Sequence, residues 1–562
     1  MNDNNNYLKT KVLVVGAGVA GLSFSIALKK LQKDIEICVI DKSENAGNHI
    51  LSGALIEADT LDDFICNYIT NIDEDAPLLK ETIKNNVNKE GILFFPNSKL
   101  SIDLVKLLKI SSKFYSLFGK MLHKEKNKKG DYIVSLSSFV RALEDYALKI
   151  GVEVYHSFSA ENLLFSDDRS FVRGIKLKNQ GLDKDGNKQI NYKEGEEVEA
   201  DYIILAEGAD GLLTENLVRE ANLKRTTPQI FSIGVKEVIS VTKEQYETFG
   251  RDNVFHVLGY PLFNFTNLNM FGGGILYPVN ENELAVGMIV GLDYKYNDFV
   301  PQDALVRFKE HPRIKKFIEG GKVIEAGAKM IPEGGYNAIP RGSNNEIGFK
   351  NVVILGDSAS LVDMRKIKGV HNAIKSGVAA AKGLVNSIGN NLHFAINYTN
   401  ELEKLGVLKE LYISKNYRQI IEKLGNFFGM PISIFSNLIP FNIKSKEDYK
   451  HMSLKSYPLK LEKPFNKGQF VGMAKAQHRE DEPGHLIIKD NDICLKCEQK
   501  YKSPCISFCP AEVYEKNFVK GYAVPLNPSN CLHCKTCQRK CPFNNIIWSI
   551  PEGGEGAKYK KS

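Results

Sequence analysis

Cysteine is nearly absent from the first 493 of the 562 residues, where only Cys38 and Cys66 occur. That distribution argues against a disulfide scaffold for the body of the protein. No repeat of about 33–45 residues is present, which removes the common solenoids and arrays, and there is no long low-complexity tract. There is no Ser/His/Asp set, no HExxH and no paired-carboxylate motif, so hydrolysis has no visible machinery. The formal charge of +7 is mild and diffuse and makes no case for nucleic acid as a partner. The first residues, MNDNNNYLKT, lack an apolar signal region and the Arg-rich amphipathic character of a transit peptide. The expected address is therefore cytosolic, or that of a chain already trimmed. A hydrophobic content of 43% over this length allows two or three packed units.

The chain opens as strand, turn and helix. Residues 11–15 are apolar and β-branched, Gly16-Ala-Gly18-Val-Ala-Gly21 follows, and LSFSIALKKLQK reads as a helix. A second strand at 35–40 ends in Asp41. In such a unit the first glycine permits a tight turn and the second lets the backbone approach a pyrophosphate. The third allows close helix–strand packing, and the helix N-terminus faces the anion. Asp41 lies 20 residues past Gly21, where it would accept from a ribose hydroxyl. The plain alternative is an ordinary tight turn, and strand, helix and acid in register count against it. Far along the chain, Ala206-Glu-Gly208-Ala-Asp-Gly211 follows one apolar strand and Gly356-Asp357 ends another. Two-part flavin folds resemble this arrangement, so FAD is expected rather than NAD, with Asp357 and adjacent amides holding the ribityl chain and pyrophosphate. From about 229 to 339, short alternating runs at 231–239 and 284–290 predict an inserted antiparallel sheet.

The cysteines missing from the body are crowded at the end: eight of the ten lie between Cys494 and Cys541. Cys531-x-x-Cys534-x-x-Cys537-x-x-x-Cys541-Pro is the bacterial ferredoxin ligand run. Cys494-x-x-Cys497, Cys505 and Cys509-Pro repeat it with a longer central gap. In two-cluster ferredoxins the remote fourth cysteine crosses to the other cluster. That rule groups Cys494, Cys497, Cys505 and Cys541 around one [4Fe–4S] cluster, and Cys509, Cys531, Cys534 and Cys537 around a second. The rival metal is zinc, because paired CxxC motifs also make structural sites of four thiolates.

Residues 424–443 form the longest uncharged segment, 20 residues, which is long enough to span a bilayer. Yet it contains Pro431 and Pro440, and backbone groups freed by two prolines need partners that lipid does not supply. A shallow, monotopic insertion without a full span is expected. Residues 444–467, with seven Lys against three acids, suit anionic headgroups. Residues 100–124 read as a Lys-rich amphipathic helix, which serves equally as an interfacial helix or as a core helix with a solvated face.

With these motifs in hand, the chain resembles the electron-transfer flavoprotein:ubiquinone oxidoreductase family over nearly its whole length. The matching stretches run in one order: VVGAGVAGLS at 14–23, NHILSG at 48–53, GDYIV at 130–134, GVEVY at 151–155 and KDG at 184–186. FGG at 271–273, VGLDY at 290–294, EGG at 333–335 and KIKG at 366–369 continue it. FCPA at 508–511, NCLHCKTC at 530–537 and WSIPEGG at 548–554 complete it.

The resemblance implies an α/β, Rossmann-like FAD-binding fold of the glutathione-reductase type, with an inserted antiparallel-sheet quinone domain and a C-terminal ferredoxin-like cluster domain. On this reading residues 1–60, 130–228 and 345–400 make a composite FAD domain. Residues 61–129, 229–344 and 401–480 make the quinone-binding, membrane-contacting domain, and 481–562 the cluster domain. It further implies an electron-transferring-flavoprotein dehydrogenase: electrons enter from reduced electron-transfer flavoprotein and pass through [4Fe–4S] and FAD to membrane ubiquinone or menaquinone. The expected location is the cytoplasmic face of a prokaryotic inner membrane, or the matrix face of the mitochondrial inner membrane in a eukaryote. The family's cluster ligands match Cys509, Cys531, Cys534 and Cys537, and its quinone-contacting Gly-Gly pair matches Gly272 and Gly273. His371, beside the 366–369 loop, is expected to hydrogen-bond structurally or to donate a proton.

Three departures stand out. Cys494, Cys497, Cys505 and Cys541 are additional to the family's single cluster. Ser135 stands where the family has Arg, and Gly356-Asp357 is closer to other flavoproteins. They admit an alternative, the quinone-linked flavoprotein of an electron-bifurcating complex fused to its ferredoxin subunit. A lipid-alkene reductase of the geranylgeranyl-reductase kind is a further one, against which the ferredoxin module argues. The double array makes a direct prediction. Elemental analysis should find about eight irons per FAD, and about four would remove the second cluster.

Overall fold

The computed structural model of the protein describes residues 8–51, 55–83, 85–110, 130–264 and 268–561. Strand Leu8–Val15 runs parallel to Ile37–Asp41 on one side and to Glu197–Leu205 on the other. Its Val12, Leu13 and Val14 are fully buried, because a central parallel strand is covered on both faces. The sheet extends through Val352–Ile354 and Gly348–Phe349 at one edge and Glu153–His156 at the other. Helix Val19–Leu31 buries an unbroken run from Val19 to Leu28 and packs against helix Val370–Val385. That leaves the carboxyl ends of the strands, where open α/β sheets bind ligands, facing the second layer.

The second layer is a seven-stranded sheet in the order Lys322–Pro332, Phe231–Ser240, Glu283–Gly291, Gly272–Asn280, Asn253–Gly259, Lys89–Phe95 and Ile102–Asp103. It is antiparallel except where Asn253–Gly259 meets Lys89–Phe95 in parallel. The exception has a topological cause: Lys89–Phe95 arrives from a segment far upstream by a crossover, and only antiparallel neighbours can be joined by hairpins. Of the helix expected over 100–124, Leu104–Ile110 is helical, and the rest lies outside the described residues.

The cysteine module has two small antiparallel sheets, Leu486–Ile488 with Ile546–Trp548 and the hairpin Tyr514–Asn517 with Tyr522–Pro525. Helices Asn491–Tyr501, Cys505–Phe508 and Thr536–Lys540 accompany them.

Two of the expected domain boundaries need correction. Leu61, Phe64, Tyr68 and Leu79, as well as Leu402, Val407, Leu408 and Leu411, belong to the nucleotide-sheet core and not to the quinone domain. Helix Ala58–Tyr68 is amphipathic, with Leu61, Phe64 and Tyr68 buried, and the apolar face that it must cover is on the first sheet. Nor is the cluster module a separate globule. Phe508, Leu532, Trp548 and Tyr559 share one continuous core with the seven-stranded sheet.

What joins the module to both layers is the five-residue helix Thr536–Lys540. On one side Asp210, whose side chain is fully buried, accepts from Arg539 Nε at 2.9 Å and Gln538 Nε2 at 3.0 Å, while its carbonyl accepts from Lys535. On the other, the buried Lys540 ammonium donates to the carbonyls of Leu292, Tyr294 and Asp448 and lies 4.1 Å from the Tyr294 ring centroid. A buried charge deprived of its partner is expensive. Asp210→Ala should therefore destabilise the protein by about 3 kcal/mol, read as a lower urea midpoint. An unchanged midpoint would show that the clamp carries no load.

Candidate functional site

A cavity of about 340 Å³ lies where the three parts meet. Val15–Ala20, Asp41, Gly208 and Asp357 form its first wall, Ile275, Ile289 and Lys329 of the second sheet face them, and Lys535, Trp548 and Ile550 of the cysteine module close the third side.

The first wall has the features a dinucleotide needs. Gly16 has φ +110°, and a Cβ there would stand 2.4 Å from the Ala206 carbonyl oxygen; one on Gly21 would stand 2.1 Å from that of Gly16. Only hydrogen fits at either place, so turn, strand and helix close on one another. The N-cap of helix Val19–Leu31 is Gly18, with no side-chain cap, which leaves first-turn amides available to an anion. The Asp41 carboxylate accepts from Ala17 N at 2.8 Å and from Ser43 N and Oγ at 2.8 and 2.6 Å. Oδ1 takes both bonds from Ser43 and Oδ2 only the one from Ala17, so Oδ2 keeps a lone pair for a ribose hydroxyl.

Ser358 Oγ donates to the Gly208 carbonyl at 3.0 Å, which draws the two distant loops together. Gly356 donates its amide to Ser376 Oγ at 3.1 Å, and Asp357 lines the cavity. Burial pushes the Asp357 carboxyl up to about 6, partly opposed by the Lys329 ammonium. These residues fit an FAD. Ser135, at the family's Arg position, caps helix Leu136–Lys149 through its Oγ.

The expected quinone glycines are elsewhere. Gly272 and Gly273 begin a strand of the second sheet and do not line this cavity. The loop before them is tied to helix Tyr417–Ser433: Asn426 N donates to Asn269 Oδ1 at 2.8 Å and Asn426 Nδ2 to the Met270 carbonyl at 2.7 Å. His371 is buried behind the cavity, with Nε2 3.5 Å from Glu410. It does not line the cavity, and neither ring nitrogen completes a hydrogen bond among the described residues.

Cys494, Cys497, Cys505 and Cys541 line one narrow void. Cys509, Cys531, Cys534 and Cys537 are all buried and lie close enough that each of the last three has its thiol raised by burial and by its neighbours. Zinc ligated by four thiolates requires sulfurs about 3.8 Å apart, given its ~2.3 Å bonds. Among the described residues, the groups of three or more candidate ligands within 4.8 Å are His478–His485–His533 and Glu57–His371–Glu410, and neither contains cysteine. No three cysteine sulfurs lie that close to one another among the described residues. Donors surround both sets: Asn545 gives its amide to Cys541 Sγ and its Nδ2 to Cys494 Sγ, both at 3.3 Å. The buried Tyr514 hydroxyl and Trp548 indole N–H have no other partner among the described residues and stand beside Cys537 and Cys531.

Lys42, His49, Lys329, Lys535 and Trp548 also line the cavity and escaped the motif reading. Lys42 directly follows Asp41, and His49, Lys535 and Trp548 stand in the quoted stretches, so a signal existed for those four. Lys329, in mid-strand, gave none. Burial lowers the ammonium of Lys42 well below its usual range and that of Lys329 to about 8. It likewise keeps His49 and His533 from charging.

Three family models match the chain. They are described as "Electron transfer flavoprotein-ubiquinone oxidoreductase, 4Fe-4S" over residues 462–560, "ETF-QO, ubiquinone-binding" over 231–331 and "NAD(P)-binding Rossmann-like domain" over 14–74. A protein of Schizosaccharomyces pombe named probable electron transfer flavoprotein-ubiquinone oxidoreductase, mitochondrial, is 33% identical over 98% of this chain and 85% of its own. One of Arabidopsis thaliana named electron transfer flavoprotein-ubiquinone oxidoreductase, mitochondrial, is also 33% identical, over 98% of this chain and 84% of its own. Among solved structures, a geranylgeranyl bacteriochlorophyll reductase-like protein from Thermoplasma acidophilum superposes with a TM-score of 0.51 at 18% identity. It covers 77% of this chain and 96% of its own. That likeness shows the fold alone.

The raised Asp357 carboxyl predicts a pH dependence. Ionised, it is a full acceptor; protonated, it surrenders an oxygen lone pair. Affinity of the apoprotein for FAD should fall as pH drops from about 7 to about 5, through the region of its ionisation, and Asp357→Asn should flatten the curve. A curve of equal slope in the variant would assign the titration to another group.

Proposed function

The chain belongs to the electron transfer flavoprotein-ubiquinone oxidoreductase family, and from that premise we propose that it takes electrons from reduced electron-transfer flavoprotein and delivers them to ubiquinone at a membrane surface. One observation carries the reading: the cavity is walled jointly by the nucleotide fold, the quinone-type sheet and the cysteine module. FAD and iron–sulfur clusters supply the exchange between one-electron and two-electron chemistry. Gly16, Gly18, Gly21, Asp41, Gly208, Gly356 and Asp357 are assigned to FAD, either by lining its cavity or by closing the turns behind it. Cys509, Cys531, Cys534 and Cys537 are assigned to the inner cluster, and Cys494, Cys497, Cys505 and Cys541 to an outer one. Trp548 and Lys535 line the cavity, and Trp548 also stands beside Cys531 of the inner set. None of the relatives named above is a subunit of a bifurcating complex, and that alternative finds no support.

Gly272 and Gly273 are assigned to quinone because of what adjoins them. Helix Tyr417–Ser433 breaks its helical geometry at Gly425 and carries Pro431. Beyond the break it presents Phe427 (53% exposed) and Phe428 (63%), followed by Leu438 (70%) and Phe441 (66%). Among the described residues no helix is long and apolar enough to cross a membrane. A contiguous exposed apolar stretch next to a Lys-rich segment suits a monotopic interface. It would open the quinone entrance to lipid, on the cytoplasmic or matrix side where a soluble donor docks.

Two experiments test this. Purified protein with reduced electron-transfer flavoprotein and a soluble ubiquinone analogue should turn over without further partners, and strict dependence on a co-purifying protein would contradict it. Phe427→Asp/Phe428→Asp should reduce binding to anionic vesicles about tenfold or more, given the cost of burying charge in the interface, while sparing reduction of the soluble analogue. Undiminished vesicle binding would remove this segment from the membrane.

A further inference from the structure

The loop 363–368 is a closed hairpin on the cavity wall. Asp363 and Lys368 exchange backbone hydrogen bonds, 3.1 Å from Asp363 N to the Lys368 carbonyl and 3.3 Å in return. Ile367, immediately before the closing residue, has φ +57°. Hairpins place a left-handed residue at this point and prefer Gly or Asn there. A β-branched side chain in that conformation is a genuine outlier. Strain of this kind persists only where the surroundings over-determine it.

The surroundings here do so. On one side of Ile367, Lys366 Nζ reaches Glu57 Oε1 at 2.8 Å and pairs with Glu410, and His371 backs the same carboxylates. On the other side Lys368 pairs with Asp131. Arg365 N donates to Asp363 Oδ1 at 2.9 Å, and the Asp363 side chain is fully buried. Lys366 and Lys368 are thus pinned by carboxylates on either side of Ile367; Ile367 lines the cavity together with Lys368 and is 52% exposed. Nothing in the hairpin's closure requires an apolar side chain at that place.

We propose that Ile367 is a shield residue, held in a strained conformation by the Lys366 and Lys368 ion pairs so that its side chain covers the flavin and keeps water and dioxygen from it. The inference rests on the reading of the cavity as the FAD site. Its chemistry is a competition for electrons. At an open site dioxygen takes two electrons and two protons from reduced flavin, giving hydrogen peroxide and oxidised flavin, and those electrons never reach quinone. An apolar side chain on the cavity wall would lower the access of dioxygen to a bound flavin and remove the water that would solvate its reduction. Ile367 is a positioning residue in this account, with no part in the transfer to quinone.

The test uses the FAD-loaded protein with Ile367→Gly, Ile367→Ala and Ile367→Val. Glycine is at ease at φ +57° and alanine is not, so the Gly variant should melt at a higher temperature than the Ala variant. Both should show severalfold stronger quenching of flavin fluorescence by iodide, and severalfold faster peroxide release after reduction. The Val variant, still branched and apolar, should keep the wild-type quenching. A higher melting temperature for Ala than for Gly would overturn the strained geometry. Gly and Ala variants that match the wild type in quenching and in peroxide would overturn the shield alone. Wild-type protein without bound FAD would overturn the cavity reading and the shield together.

Discussion

The arrangement depends on a helix little more than one turn long. Thr536–Lys540 carries Cys537 of one thiol set at its start and is followed at once by Cys541 of the other. Between them, Arg539 is fixed to Asp210 of the nucleotide fold and Lys540 to three carbonyls from the sheet side. Two cations on neighbouring residues, Lys540 buried and Arg539 partly so, point to opposite layers and thereby register both thiol sets against the cavity. Full-strength hydrogen bonds to a buried ammonium are short and directional, so the module has one seat and little freedom within it. Electron transfer between fixed centres needs that fixity more than it needs chemically active side chains, and it accounts for the absence of a catalytic constellation of the hydrolytic kind.

A second buried network supports the first. Arg418, 1% exposed, binds Glu333 through Nε at 2.8 Å and Asp293 through Nη2 at 2.9 Å, with the Phe271 ring 3.9 Å beneath it. Burial raises the Glu333 carboxyl while Arg418 opposes it, and the two carboxylates hold the guanidinium charged. Arg418 opens the same helix that ends in the exposed Phe427 and Phe428. Cavity wall, the loop before the glycine pair and the apolar surface are therefore parts of one mechanical unit.

Much of this was legible in the chain, and the division has physical reasons. The dinucleotide turn, Asp41, the distant Gly208 and Asp357 loops and both thiol sets were proposed from local spacing; the structure places the turn, Asp41, Gly208 and Asp357 around one cavity and Cys494, Cys497, Cys505 and Cys541 around one void. Boundaries were less legible. The segments around Leu61–Leu79 and Leu402–Leu411 are amphipathic helices whose periodicity says that they cover a sheet but not which one. The parallel pairing of Lys89–Phe95 joins strands far apart in sequence, and no local pattern announces it. Asp210, Lys329 and Lys540 matter through partners hundreds of residues away or through burial alone, and a lysine in a strand or at a helix end reads as solvated until its environment is known. Ile367 is the converse: it violates the local turn preference, and conflict with a local rule is where function tends to be found.

The central claim is that two clusters are held side by side by one short helix, the inner set toward the flavin cavity and the outer set beyond it. Low-temperature electron paramagnetic resonance of the fully reduced protein tests it most directly. The account predicts two paramagnetic centres whose signals are broadened and split by mutual magnetic interaction. A single, unsplit signal integrating to one spin would contradict it.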